Sequence, residues 1–128
     1  MKYALLLQND AADVARWKEL DEEEAREARA AEIPKWISVM ERMEARGQRL
    51  SGLELDEPET AKVVRIVDGE TVVTDGPFAE TREQLGGYFL IDASDLDEAM
   101  SIARRIPGAR IGTVEIRPVR QVAGLPSL

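Results

Sequence analysis

An α+β fold, a split βαβ sheet with an inserted β-hairpin, is predicted for this chain by three observations. Strand-like and helix-like apolar patterns follow one another as strand, helix, strand, hairpin, strand, helix, strand. Asp68-Gly69 sits between two β-branched runs, a strong short-range hairpin signal. The first and fifth strand patterns are apolar on both alternating faces, as strands covered on both sides are.

The elements follow in order. Residues 3–8 read as a strand, with Ala4 to Leu7 apolar throughout. Asn9 to Ala12 reads as a loop, and Val14 and Trp17 suggest a short helical turn after it. Asp21 has the chemistry of a helix N-cap, with Glu24 completing a capping box. The helix is expected to run to about Arg46 and stop at Gly47, with Ile33, Trp36, Ile37, Met40 and Met43 as one apolar stripe. Pro34 lies inside it and predicts a kink or break near Ala30 to Ile33.

Arg49 to Leu55 reads as a second strand, followed by a polar loop through Pro58 and Glu59. Val63 to Val67 and Thr71 to Thr74 form the hairpin, and the chain then turns at Asp75-Gly76-Pro77. Gly86 to Ile91 reads as a fifth strand, and Gly86-Gly87 marks a bulge or a close backbone approach. Asp95 and Glu98 open a second helix with Leu96, Ala99, Met100 and Ala103 as its buried face, ended by Pro107-Gly108. Ile111 to Ile116 closes the series, leaving 1–118 as a single domain and 119–128 as a mobile tail. Both helices are expected on one sheet face. The apolar face left bare predicts a homodimer whose sheets pack face to face.

Composition narrows function. The 128 residues carry a net charge of −8, which disfavours nucleic-acid binding. Seven acids stand against Arg26 and Arg29 over residues 19–32, the pattern of a solvated helix start. An apolar run of about 18 residues is lacking, as is a signal peptide, so a cytoplasmic protein with no membrane partner is expected. Cysteine and histidine are both absent. Disulfides, thiolate metal sites and Ser-His-Asp chemistry are thereby excluded, and no metal or cofactor is expected. Acid–base chemistry falls to Asp, Glu, Lys or Tyr.

The segment Asp75-Gly76-Pro77-Phe78-Ala79-Glu80-Thr81, continuing through Gln84-Leu85-Gly86-Gly87-Tyr88, concentrates polar and aromatic groups at a strand end, where binding residues are often found. Asp75 suits an Asx-type turn, Gly76 a backbone angle that a side chain resists, and Glu80 a cap for a turn at Thr81 to Gln84. Phe78 suits a plug at the sheet edge or a pocket wall. The candidate ligand residues are Asp75, Phe78, Glu80 and Tyr88, with Tyr3 and Arg82 as neighbours. The alternative is a motif that serves folding alone. Three roles are open: a small-molecule-binding module, an enzyme using Asp75 or Glu80 as general base, or a protein-interaction module.

With that motif, the opening Met1-Lys2-Tyr3, Asp95-Leu96-Asp97-Glu98-Ala99 and Ile106-Pro107-Gly108-Ala109, the chain resembles the DGPF-domain proteins of the YciI-related (YCII-related) family from Met1 to Pro118. The resemblance implies a ferredoxin-like protomer that dimerises into an α+β barrel. It implies a bacterial cytoplasmic protein, often encoded beside extracytoplasmic-function sigma factors, and no defined reaction. Some relatives are suspected enzymes on the strength of a facing His and Asp. Without histidine, this chain forms no such dyad.

Overall fold

A computed structural model describes residues 1–110 and 112–127. Among the described residues six strands and three α-helices follow one another: β1 (Lys2–Asp10), α1 (Ala11–Glu19), α2 (Glu22–Ala45), β2 (Arg49–Glu54), β3 (Lys62–Val67), β4 (Glu70–Asp75), β5 (Glu83–Asp92), α3 (Leu96–Arg105) and β6 (Gly112–Pro118). Ile111, the expected first residue of the last strand, lies outside the described residues.

Four strands form one sheet in the order β2-β5-β1-β6, every neighbouring pair antiparallel. This is the split βαβ order, because each helical connection passes over one intervening strand, β5 between β1 and β2 and β1 between β5 and β6. β3 and β4 form a separate two-stranded sheet. Its turn has Asp68 and Gly69 at φ of 49° and 79°, two successive left-handed residues that match the right-handed twist of the strands.

Strand periodicity divides the large sheet into two faces. Tyr3, Leu5, Phe89 and Ile91 point to one side and bury with Met43 of α2 and Ala99 and Ile102 of α3. The centroid of Trp36 lies 6.3 Å from that of Phe89, at the rim of this core. Both long helices therefore cover the same face. The opposite face carries Ala4 and Leu6 of β1, Leu90 and Tyr88 of β5 and Leu53 of β2, directly paired across the strands.

Several local expectations are revised. α1 is a full helix, because Asp10 ends β1 and at once caps α1, accepting from the Ala12 N–H at 2.8 Å. α2 runs unbroken through Pro34. One missing hydrogen bond in 24 residues is outweighed by the turns on either side, and the ring sits at an exposed position. Its inner seam is Trp36, Val39, Met40 and Met43, whereas Ile33 and Ile37 face solvent. In α3 the inner positions are Ala99, Ile102 and Ala103, and Leu96 is exposed. The two caps inferred from sequence are present: Asp21 and Asp95 each accept an N–H at 2.8 Å, from Glu24 and Glu98.

α1 is tied to the loop before β3 by Lys18, which lies 3.7 Å from Glu57 and hydrogen-bonds Glu59. That bond, above all, holds the Glu59 carboxyl down to about 2. A depressed folded-state pKa stabilises the fold above the ordinary carboxyl value, and the contribution fades as pH falls from about 4.5 towards 2. In Lys18→Met, a carbon-detected NMR titration is expected to show Glu59 rising towards 4.5. An unmoved titration would reject the Lys18 assignment. The pair is exposed, so global stability changes little.

Candidate functional site

Three segments distant in sequence meet at one end of the large sheet. The first is the β1–α1 junction, the second is Thr81-Arg82-Glu83 entering β5, and the third is the start of β6. The junction is held by backbone, since the Ala11 N–H donates to the Arg82 carbonyl at 2.7 Å. Between the segments lies a solvent-open groove of 850 Å³, lined by Gln8, Asp10, Thr81, Arg82, Glu83, Thr113 and Glu115. A second hollow of 480 Å³ continues from it past Ala12, Asp13 and Arg16.

The groove is polar and mixed in charge. Arg82 Nε lies 3.2 Å from Asp10 Oδ2, while Asp10 Oδ1 caps α1. The Thr113 hydroxyl donates to Glu83 Oε1 at 2.6 Å. Glu115 pairs with Arg117 at 3.3 Å. These contacts hold a row of carboxylates and hydroxyls with one guanidinium among them, a surface able to orient a ligand through several hydrogen bonds. Outside the groove, hydrogen bonds draw carboxyls below their ordinary values at Glu59 beside Lys18, at the helix cap Asp21 and at Glu98, which accepts from the Ser94 hydroxyl and from Gln48.

Asp75 ends β4 and is 83 % exposed at its side chain. It ion-pairs with Lys62 across the hairpin rather than capping an Asx-type turn. Gly76 is needed for space and not for a left-handed backbone, since a Cβ there would sit 2.8 Å from Ala61 Cβ. Its N–H donates to the Ala61 carbonyl at 2.8 Å, and the Gly76–Pro77 peptide is cis.

Phe78 is 77 % exposed and neither plugs the sheet edge nor walls the groove. Its ring lies 5.3 Å beneath the Arg65 guanidinium. Glu80 is exposed and bonds to no described residue. The Gln84 amide instead stabilises the loop, donating to the Ala79 carbonyl at 2.7 Å. Tyr88 is half-buried on the open sheet face between Leu6 and Leu53, and Tyr3 is buried under the helices.

Of the sequence candidates and their neighbours, only Arg82 lines the groove. Asp75 and Phe78 both reach β3, but through Lys62 and Arg65, which lie on opposite faces of the hairpin, so the two candidates are not brought into one site. Gln8, Asp10, Glu83, Thr113 and Glu115 were not found by sequence reading. The one available signal was the strong polarity of Thr81-Arg82-Glu83 beside the motif.

Gly86 and Gly87 shape the same end of the sheet. Leu7 pairs with Gly87 and Gln8 with Leu85, so Gly86 is the extra residue of a bulge. A Cβ on Gly87 would lie 2.7 Å from the Leu53 carbonyl oxygen. Both expectations for this pair of glycines are met.

The fold and the motif together define an α+β protein with a ferredoxin-like arrangement of strands. The chain belongs to the YCII-related domain family, whose model matches residues 1–123. It is 39 % identical over 123 residues to an uncharacterized protein of Rhizobium meliloti (strain 1021), covering 93 % of this chain and 92 % of that relative. No helix is long and apolar enough to cross a membrane among the described residues. Nor do Asp and Glu side chains there form a group of three or more placed to hold a metal.

Proposed function

We propose that this chain is a homodimeric small-molecule-binding module of the bacterial cytoplasm, whose cleft is the groove at Thr81-Arg82-Glu83, the segment that follows the Asp75-Gly76-Pro77-Phe78 loop in the chain. The observation that carries the reading is the position of the groove. Gln8 and Thr113 are directly paired and share the open face of the sheet with Leu6, Leu53, Tyr88 and Leu90. A partner covering that apolar face would roof the groove and change an open hollow into an enclosed cleft, where hydrogen bonds to a ligand gain strength.

Polar ligands with both donors and acceptors suit the lining, because Arg82 donates while Asp10, Glu83 and Glu115 accept. Light scattering is expected to give twice the chain mass. A thermal-shift screen of metabolites is expected to find ligands that raise the midpoint of unfolding, since binding only the folded state at 100 times Kd adds about 2.7 kcal/mol. Arg82→Ala should remove the shift while keeping the dimer. A monomer that no ligand class stabilises would overturn the proposal.

A further inference from the structure

The hairpin has two unlike faces. Register places Val63, Arg65, Val67, Val72 and Thr74 on one side, and Arg65 lies there against the Phe78 ring, so the loop after β4 backs this face. Lys62, Val64, Ile66, Thr71, Val73 and Asp75 are on the other. On that side Val64, Ile66 and Val73 are 63 %, 68 % and 60 % exposed, and the Lys62–Asp75 ion pair closes the base.

A two-stranded hairpin is marginal in water unless something packs on it. Exposed β-branched residues on a free ribbon also invite uncontrolled pairing. The protomer itself leaves this face bare, and β3 and β4 pair only with each other among the described residues.

Area and charge identify what covers it. The apolar part of the open sheet face spans three strands about 4.8 Å apart, β2, β5 and β1, over about 14 Å, a footprint of roughly 200 Å². A stable contact buries about 800 Å² on each partner, so the sheet face alone falls well short. The bare hairpin face, two strands wide and about 20 Å long, adds roughly 200 Å², and the doubled footprint approaches the apolar share of such a contact, whose remainder is polar. Two copies of a chain carrying −8 repel each other. The hairpin face is a place where they can meet, because Lys62 and Asp75 neutralise one another and its other members carry no charge.

We propose that the β3–β4 hairpin is a dimerisation arm whose Val64, Ile66 and Val73 face packs against a second copy of the chain. Asp75 then serves assembly: its bond to Lys62 closes the arm, and the contact encloses the pair. Phe78 stiffens the arm from behind through Arg65. The inference rests on the homodimer proposed above and adds the surface that completes it.

The test uses the full chain. In sedimentation equilibrium, the double variant Val64→Asp/Val73→Asp is expected to weaken the dimer by on the order of 100-fold, the scale of losing two central contacts. Its circular dichroism should match that of the parent chain, since both side chains are exposed in the protomer. Should that variant fail to fold, a nitroxide on Val73→Cys gives a second reading, and the absence of native cysteine makes the label unique. The label is expected to be immobilised in the dimer and mobile after dilution to monomer. A parent dimer with an unchanged constant in the double variant, or with a mobile label, would overturn the arm and leave the homodimer standing. A monomeric parent chain would overturn both.

Discussion

Leu5→Ala is expected to lower the free energy of unfolding by about 2–5 kcal/mol, the range for emptying a buried leucine site. Leu5 is 0 % exposed at the centre of β1, flanked by Phe89 on one neighbouring strand and Ile116 on the other. Truncation loses the transfer energy of the side chain and leaves a cavity under both helices, where sheet and helices limit collapse. Much of a typical domain's stability of about 5–15 kcal/mol would go. A urea titration should show a lower midpoint at unchanged slope. Ile37→Ala, on the exposed flank of α2, is the contrast and should cost under about 0.5 kcal/mol. Equal losses at the two sites would contradict the assignment of the helix-covered face.

Gly112→Ala is expected to combine a loss of stability with damage to the groove. A Cβ there would stand 2.2 Å from the carbonyl oxygen of Gln8, a backbone atom of the neighbouring strand that cannot rotate aside. β6 must move away from β1, at a cost of about 1–3 kcal/mol for overpacking. Gln8 and Thr113 are paired at that point and both line the groove, so the same movement separates its walls. Chemical denaturation and thermal shift should therefore change together: a lower midpoint without ligand, and a smaller rise with any ligand that stabilises the parent chain. Full ligand response in a destabilised variant would place the binding site elsewhere.

Much of the fold was legible because its signals are short-range. Asp68-Gly69 specifies a hairpin through two left-handed residues, and a single dipeptide is enough to show it. Asp21 and Asp95 announce helix starts because a carboxylate can reach an amide three residues on. Gly47, at φ of 64°, marks the end of α2 for an equally local reason. Other features had no such local cause. Ile33 and Ile37 have the same spacing relation to Trp36 and Met40 as core positions do, and only the sheet's location decides which flank is buried. Asp10 reads as loop because one residue both ends a strand and caps a helix.

The motif shows the same division. That Asp75-Gly76-Pro77 turns was evident from residue chemistry, and Gly76 was singled out correctly, although its reason is the nearness of Ala61. That Asp75 meets Lys62 and Phe78 meets Arg65 depends on the register of the hairpin, which brings the two strands side by side. Of the groove only Arg82 was named from sequence, because the walls come from residues 8–10, 81–83 and 113–115.

By itself the sequence determined the order of elements, their caps and turns, the family, and the two-sided apolar character of the central strands. Each of these depends on the chemistry of neighbouring residues or on a short period. Tertiary structure alone decided which flank of α2 is buried, that the hairpin stands apart, and that Arg82, Glu83, Asp10 and Thr113 converge. Those outcomes are set by long-range strand pairing, which brings together residues that no local pattern connects.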